Sequence, residues 1–125
     1  THKVILKLYD ECLKIHLVIP LQHKSDKVKV ITTLMPHLLG HHVGLDNHDC
    51  GPITILKKDM VVAVEPGIYF QTGKGKSPHI NASIWQEYEH IGGIRIEDTI
   101  VITSSGYKNL SKITKEIAGI EKLMK

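Results

Sequence analysis

Between Val4 and Leu17 the apolar residues Ile5, Leu8, Cys12 and Ile15 recur every three or four positions, with Lys7, Asp10, Glu11 and Lys14 between them. That period predicts an amphipathic helix, and Pro20, which has no N–H to donate, stops it. Residues 22–35 carry two patterns. Val28, Ile31 and Met35 suit a helix capped by Ser25 or Asp26, which is the favoured expectation; Val28, Val30 and Ile31 with the two threonines also suit a strand. From Met35 to Pro52 four histidines, three glycines, two aspartates and two prolines show no clean period and predict short strands and loops.

Farther along, Lys57, Lys58 and Asp59 form a polar turn before a strand over Met60 to Val64, which Pro66 and Gly67 end. Ile68 to Phe70 is expected to resume that sheet. Gln71 to Pro78 reads as an exposed flexible loop whose glycines lack the spacing of a phosphate-binding loop, so no chemistry is assigned to it. Ile94, Ile96, Ile100 and Ile102 share one parity, and Arg95, Glu97, Thr99 and Val101 the other, so Gly93 to Thr103 predicts one long strand. Ser104, Ser105 and Gly106 turn the chain. The tail from Ser111 places Ile113, Ile117, Ile120 and Met124 at helical spacing with lysines near its end, and this helix is expected to pack on the sheet.

Composition narrows the class. At 125 residues with 42% hydrophobic and 23% charged residues, the chain is expected to form one domain with a core that requires neither disulfides nor a structural metal. A net charge of +3, with the charges interspersed, argues against a nucleic-acid footprint. Apolar runs such as Val61 to Val64 are far short of a bilayer span, and no secretory signal pattern is found at the start, so neither membrane insertion nor secretion is expected. Cys12 and Cys50 match no metal or redox spacing, which implies free thiols in a reducing, cytoplasmic compartment.

Nine histidines are the outlier. Three places offer metal-type ligands: His41 in the histidine-rich stretch, Glu65 at a strand exit, and Glu97 in the strand over Gly93 to Thr103. Taken singly each has an ordinary reading. Loop histidines are mostly hydrogen-bonded surface residues, and a glutamate before Pro-Gly is ordinarily a polar strand exit. Glu97 shares a face with Arg95 in a segment that otherwise looks buried, so it reads either as a site residue or as half of a cross-strand salt bridge. His37 and His41 are four apart, but no glutamate follows His37 and Gly40 and Gly44 disfavour a helix, which rejects the helical zinc-protease motif. One imidazole with two carboxylates suits manganese, cobalt, zinc or iron better than calcium or magnesium.

Three segments together carry a resemblance: Met-Pro-His-Leu-Leu-Gly-His-His-Val-Gly-Leu-Asp-Asn-His-Asp over residues 35–49, Met-Val-Val-Ala-Val-Glu-Pro-Gly-Ile-Tyr over 60–69, and Gly-Gly-Ile-Arg-Ile-Glu-Asp-Thr-Ile-Val-Ile-Thr over 92–103. In this order they resemble the prolidases and aminopeptidases P, the Xaa-Pro metallopeptidases, and the pattern over about 35–125 is most similar to eukaryotic Xaa-Pro dipeptidases. The resemblance implies an α+β fold, the carboxyl-terminal half of a pita-bread (creatinase/aminopeptidase-like) domain with a curved antiparallel sheet backed by helices. It implies a site for two divalent cations, manganese first with cobalt or zinc as alternatives, held by two aspartates, one histidine and two glutamates. It places metal ligation on His41, Glu65 and Glu97, proton abstraction from the attacking water on Glu65, a catalytic contact on His48, and substrate binding on His37, His48 and Arg95. The implied partner is an Xaa-Pro dipeptide or longer peptide.

The sequence departs from the family at specific places. The two metal-binding aspartates, carried by Asp-Gly and a later Asp-Phe-Thr or Asp-x-Thr-Arg pattern upstream of the histidine motif, have no counterpart. Asp10 sits in a helical segment and Asp26 in a lysine-rich turn. Leu38 stands where the family often has glycine, and Asn47 where it has valine. Two expectations follow: residues 1–125 are an incomplete catalytic domain, inactive alone, or they are a non-catalytic remnant that binds or dimerises through the sheet edge and apolar face which the missing half covers.

Overall fold

The computed structural model describes residues 2–51 and 55–125, and Pro52, where the histidine-rich stretch ends, lies outside the described residues. The chain divides into two compact units, each built from two separate segments: residues 1–38 with 67–95, and residues 39–66 with 96–125.

The first unit is built on the two expected helices. The amphipathic period gives α1 (His2–Lys14), which ends earlier than Pro20: His16 adopts a left-handed φ of 58°, and the Leu17 amide turns back to the Cys12 carbonyl at 3.0 Å. Residues 24–34 form α2 (Lys24–Leu34), so the helical reading holds over the strand alternative. The cap is different. The N-cap is His23, which makes no side-chain capping bond, and Asp26 lies in the first turn, where the helix dipole favours its charge.

Tyr9, Cys12 and Leu17 from the first segment pack with Val30, Ile31 and Leu34 of α2 and with Phe70, Ile80 and Trp85. Each fully buried large apolar side chain contributes about 1.5–3 kcal/mol. The buried Tyr9 hydroxyl donates to the Ile19 carbonyl at 2.8 Å and accepts from the Leu21 amide at 2.7 Å, which satisfies its one polar atom and ties down the chain after α1.

Three expectations for this unit change. Ile68 to Phe70 does not continue the preceding strand's sheet. Instead β3 (Gly67–Tyr69) pairs antiparallel with β4 (Gly93–Arg95) as a separate two-stranded ribbon. Gln71 to Pro78 is not a free loop: it holds a 3-10 turn over Lys74–Lys76, and a Cβ on Gly75 would stand 2.5 Å from the Trp85 ring, so the glycine is needed for backbone to lie on indole. A short helix not expected from the periodicity, α3 (Ala82–Glu89), follows, its first turn capped by the Asn81 side chain, which accepts from the Ser83 amide.

The second unit is a four-stranded antiparallel sheet in the order β1-β2-β5-β6. Its strands are β1 (Gly40–His42), β2 (Val61–Val64), β5 (Asp98–Ile102) and β6 (Tyr107–Asn109). On β2 the consecutive residues Val62 and Ala63 are both buried, so both faces of that strand are covered. Gly40 has a stated reason: a Cβ there would lie 2.0 Å from the Ala63 carbonyl oxygen, so only glycine lets β1 close on β2.

The single strand expected over Gly93 to Thr103 is broken into β4 and β5 at Ile96 and Glu97. Its physical cause is Pro66, which faces this gap and accepts from the Ile96 amide at 3.0 Å but has no N–H to return. The parity argument fails at the same place, since Ile94 and Ile96 are exposed. The tail helix α4 (Ile117–Leu123) is shorter than its period implied and does not bury its apolar residues: Ile113, Ile117, Leu123 and Met124 are exposed. Among the described residues no helix is long and apolar enough to cross a membrane.

Two outcomes test this description. Burial raises the Cys12 thiol pKa to about 11, with the nearby Glu11 charge adding to the effect, while Cys50 is exposed. A disulfide reagent at pH 8 is therefore expected to label Cys50 at once and Cys12 only on unfolding. In Gly40→Ala the overlap with Ala63 is expected to cost about 1–3 kcal/mol, read as about tenfold or faster amide exchange along β1–β2 with the α1–α2 core unchanged.

Candidate metal centre

Antiparallel register assembles the site. His41 pairs with Ala63 across β1–β2, and the ladder runs on past β2 as the Glu65 amide donates to the Leu39 carbonyl at 2.7 Å. Residues 63 and 65 share a face of the strand, so His41 and Glu65 are diagonal neighbours on one surface of the sheet. Across β2–β5, Val64 pairs with Asp98, which sets Glu65 opposite Glu97 one step beyond the strand ends. Three residues far apart in sequence thus fall on three adjacent strands, and one donor atom from each lies within 4.8 Å of the others.

The histidine's own bonding specifies which nitrogen faces inward. His41 Nδ1 lies 2.8 Å from the His42 carbonyl, and a carbonyl only accepts, so Nδ1 carries the proton and donates it there. Nε2 then points at Glu65 Oε1, 2.9 Å away. An imidazole nitrogen this close to a carboxylate oxygen is favourable with a positive charge between the two, either a second proton on the ring or a metal ion. Glu65 is 7% exposed, and Glu97 on the opposite strand adds a second carboxylate. Burying such a group is costly unless charge and hydrogen bonding compensate it.

The arrangement fits a divalent cation. Donor atoms each about 2.1 Å from one ion lie roughly 3 Å apart, the separation seen between His41 and Glu65. The set is one imidazole nitrogen and carboxylate oxygens, and Nδ1–H to a backbone carbonyl is the usual way a ligating histidine is oriented.

His48 is exposed, and its ring lies over that of His41 with centroids 4.3 Å apart. Its loop is closed by the His42–Asp49 bridge, in which the Asp49 amide donates to the His42 carbonyl. Gly44 permits this closure, because a Cβ there would meet the Asp49 carboxylate at 1.6 Å. His37 and Arg95 belong to the other unit. There His37 donates from Nδ1 to the Leu38 carbonyl and accepts at Nε2 from the Tyr69 hydroxyl, 3.1 Å away, with the two rings edge to face. Tyr69 was not a candidate from sequence, although it ends the Val-Glu-Pro-Gly-Ile-Tyr motif. Arg95 closes β4 opposite Gly67 and is exposed, so the single-strand argument that set it on one face with Glu97 no longer applies. Glu97 is likewise exposed rather than buried.

Comparison with known proteins identifies the family and the fold. Residues 5–104 match the sequence profile of metallopeptidase family M24. The probable Xaa-Pro aminopeptidases pepP of Botryotinia fuckeliana and Sclerotinia sclerotiorum are 33% and 34% identical to this chain, over 81% and 78% of it but only 28% and 22% of their own lengths. Aminopeptidase P from E. coli in its low-pH form matches 98% of the chain at 30% identity with a TM-score of 0.72, and the same enzyme with the inhibitor Pro-Leu matches at 33% with the same score. In each of those two structures the match takes up 27% of the solved chain, so these residues span about a quarter of the proteins they resemble. A profile covering most of the chain, and relatives above 30% identity over more than three-quarters of it, establish that the chain belongs to metallopeptidase family M24 and that its α+β fold is part of that family's pita-bread domain.

Proposed function

We propose that these residues form the carboxyl-terminal part of the catalytic domain of an Xaa-Pro peptidase, with His41, Glu65 and Glu97 as metal ligands. The observation that supports this reading is the meeting of His41 Nε2 and Glu65 Oε1 at 2.9 Å, with a Glu97 oxygen within 4.8 Å of both donor atoms. Manganese is the first choice for this donor set, with cobalt and zinc as alternatives. When bound, a divalent cation polarises the scissile carbonyl and lowers the pKa of water.

The protein's own groups do the rest. Glu65, buried within the site, takes a proton from the attacking water, and Glu97 offers two oxygens to the cation site. His48, exposed over His41, hydrogen-bonds the substrate or the developing oxyanion. His37, its ring oriented by Tyr69, and Arg95, a fixed cation, bind the peptide. An Xaa-Pro dipeptide is the proposed substrate on the strength of the motif pattern. The two thiols suit a reducing, cytoplasmic setting.

Three ligands without the family's two aspartates hold a cation weakly, so residues 1–125 alone are expected to release no proline. The test is proline release from an Xaa-Pro dipeptide with manganese, cobalt or zinc, for residues 1–125 alone and together with a segment carrying the aspartate strand pair. Activity that requires both parts and the metal, and falls at least 100-fold in Glu65→Gln, is the expected result. No activity with both parts and any of the three metals would overturn the peptidase reading. The exposed Ile113, Ile117, Leu123 and Met124 favour a second reading, a non-catalytic module that self-associates. A chain that stays monomeric in sedimentation at high concentration removes it.

A further inference from the structure

Glu97 is the weak point of the ligand set: it is exposed and stands in the gap between β4 and β5. The β2 register and the Ile96–Pro66 bond hold it on one side, and what holds it on the other comes from outside the part of the chain that matches the family profile, which ends at residue 104. Strand β6 ends at Asn109, paired with Ile100, so one step earlier β5 has lost its strand neighbour. The tail replaces it. The Leu110 amide donates to the Thr99 carbonyl at 2.8 Å, and the Thr99 amide donates to Ser111 Oγ at 2.9 Å. Ser111 is itself oriented by its amide, which donates to Asn109 Oδ1 at 2.8 Å. One step nearer Glu97, Lys115 Nζ donates to Asp98 Oδ1 and, at 3.3 Å, to the Ile113 carbonyl.

Side chains alternate along the strand, so Asp98 points away from the face that Glu97 presents to His41 and Glu65. Lys115 therefore grips the reverse of the strand and acts on Glu97 only through the backbone.

We infer that the Ser111–Lys115 segment is a positioning strap for Glu97, in which Lys115 on Asp98 and Ser111 on Thr99 set how tightly the site holds a divalent cation. The inference rests on His41, Glu65 and Glu97 being the ligands. Without the strap Glu97 keeps the β2 side of its support and loses the other, so its carboxylate is less firmly held beside His41 and Glu65.

The experiment is manganese titration of residues 1–125 by calorimetry, with amide exchange at Thr99 followed in parallel. Lys115→Met removes the charge and keeps the stem. It is expected to weaken manganese binding about 10-fold or more and to speed exchange at Thr99, with the α1–α2 core still protected. Lys115→Arg is expected to restore binding to within about twofold, and Lys122→Met, on the exposed last helix, to leave it unchanged. Glu97→Gln separates the two ideas. If Glu97→Gln weakens binding and Lys115→Met does not, the strap is wrong and the ligand set stands. If Glu97→Gln binds as tightly as the unchanged chain, the ligand reading itself fails. Should Lys115→Met lose core protection, Ser111→Ala takes its place with the same two outcomes.

Discussion

The proposed chemistry turns on an imidazole facing a carboxylate. His41 donates from Nδ1 to the backbone of the next residue and so directs Nε2 at Glu65, 2.9 Å away, while Glu97 stands alongside in the gap between β4 and β5. One imidazole and two carboxylates, each with a donor atom within 4.8 Å of the others, make a group able to hold a cation. Everything around it serves register. Gly40 lets β1 approach β2 closely enough for His41 to reach Glu65, and Pro66 interrupts the ladder just where both glutamates must leave regular pairing.

The remainder of the chain divides its work between two units. In the first, a core around Tyr9, Ile31, Leu34 and Trp85 anchors the helices, and burial supplies its stability. The second has a thin interior, with Val62 and Ala63 the buried apolar residues among those described, and relies on backbone pairing and on polar ties such as Lys115 to Asp98. Site and hydrophobic core are thus supported by different forces. A substitution in the helices acts on stability first, and one in the β1–β2–β5 ladder acts on ligand geometry first.

The chain belongs to metallopeptidase family M24; His41, Glu65 and Glu97 are proposed as three of its metal ligands, and the two aspartate motifs that the resemblance implies have no counterpart in this sequence. Affinity for a divalent cation depends on the number and charge of the ligands, so the difference between three and five has direct chemical weight. It also gives the apolar tail a physical interest: Ile113, Ile117, Leu123 and Met124 are exposed in a chain about a quarter the length of its relatives.

From the sequence alone one could read α1 and α2, the strand over Val61–Val64, the turn at Ser104–Gly106, the free thiols and the three motifs that carry the ligand candidates. These are properties of neighbours, set by side-chain period, by proline and glycine, and by short-range motif spacing. Only the folded chain decided that Gly93 to Thr103 breaks at Ile96, because the cause is Pro66, in the link between β2 and β3. It alone decided that α4 leaves its apolar side chains in solvent, that Tyr69 orients His37, and that Lys115 grips Asp98. The meeting of His41, Glu65 and Glu97 belongs to the same class. Local pattern specifies which face of a strand a residue occupies, whereas which strands stand side by side, and in what register, depends on contacts between residues tens of positions apart.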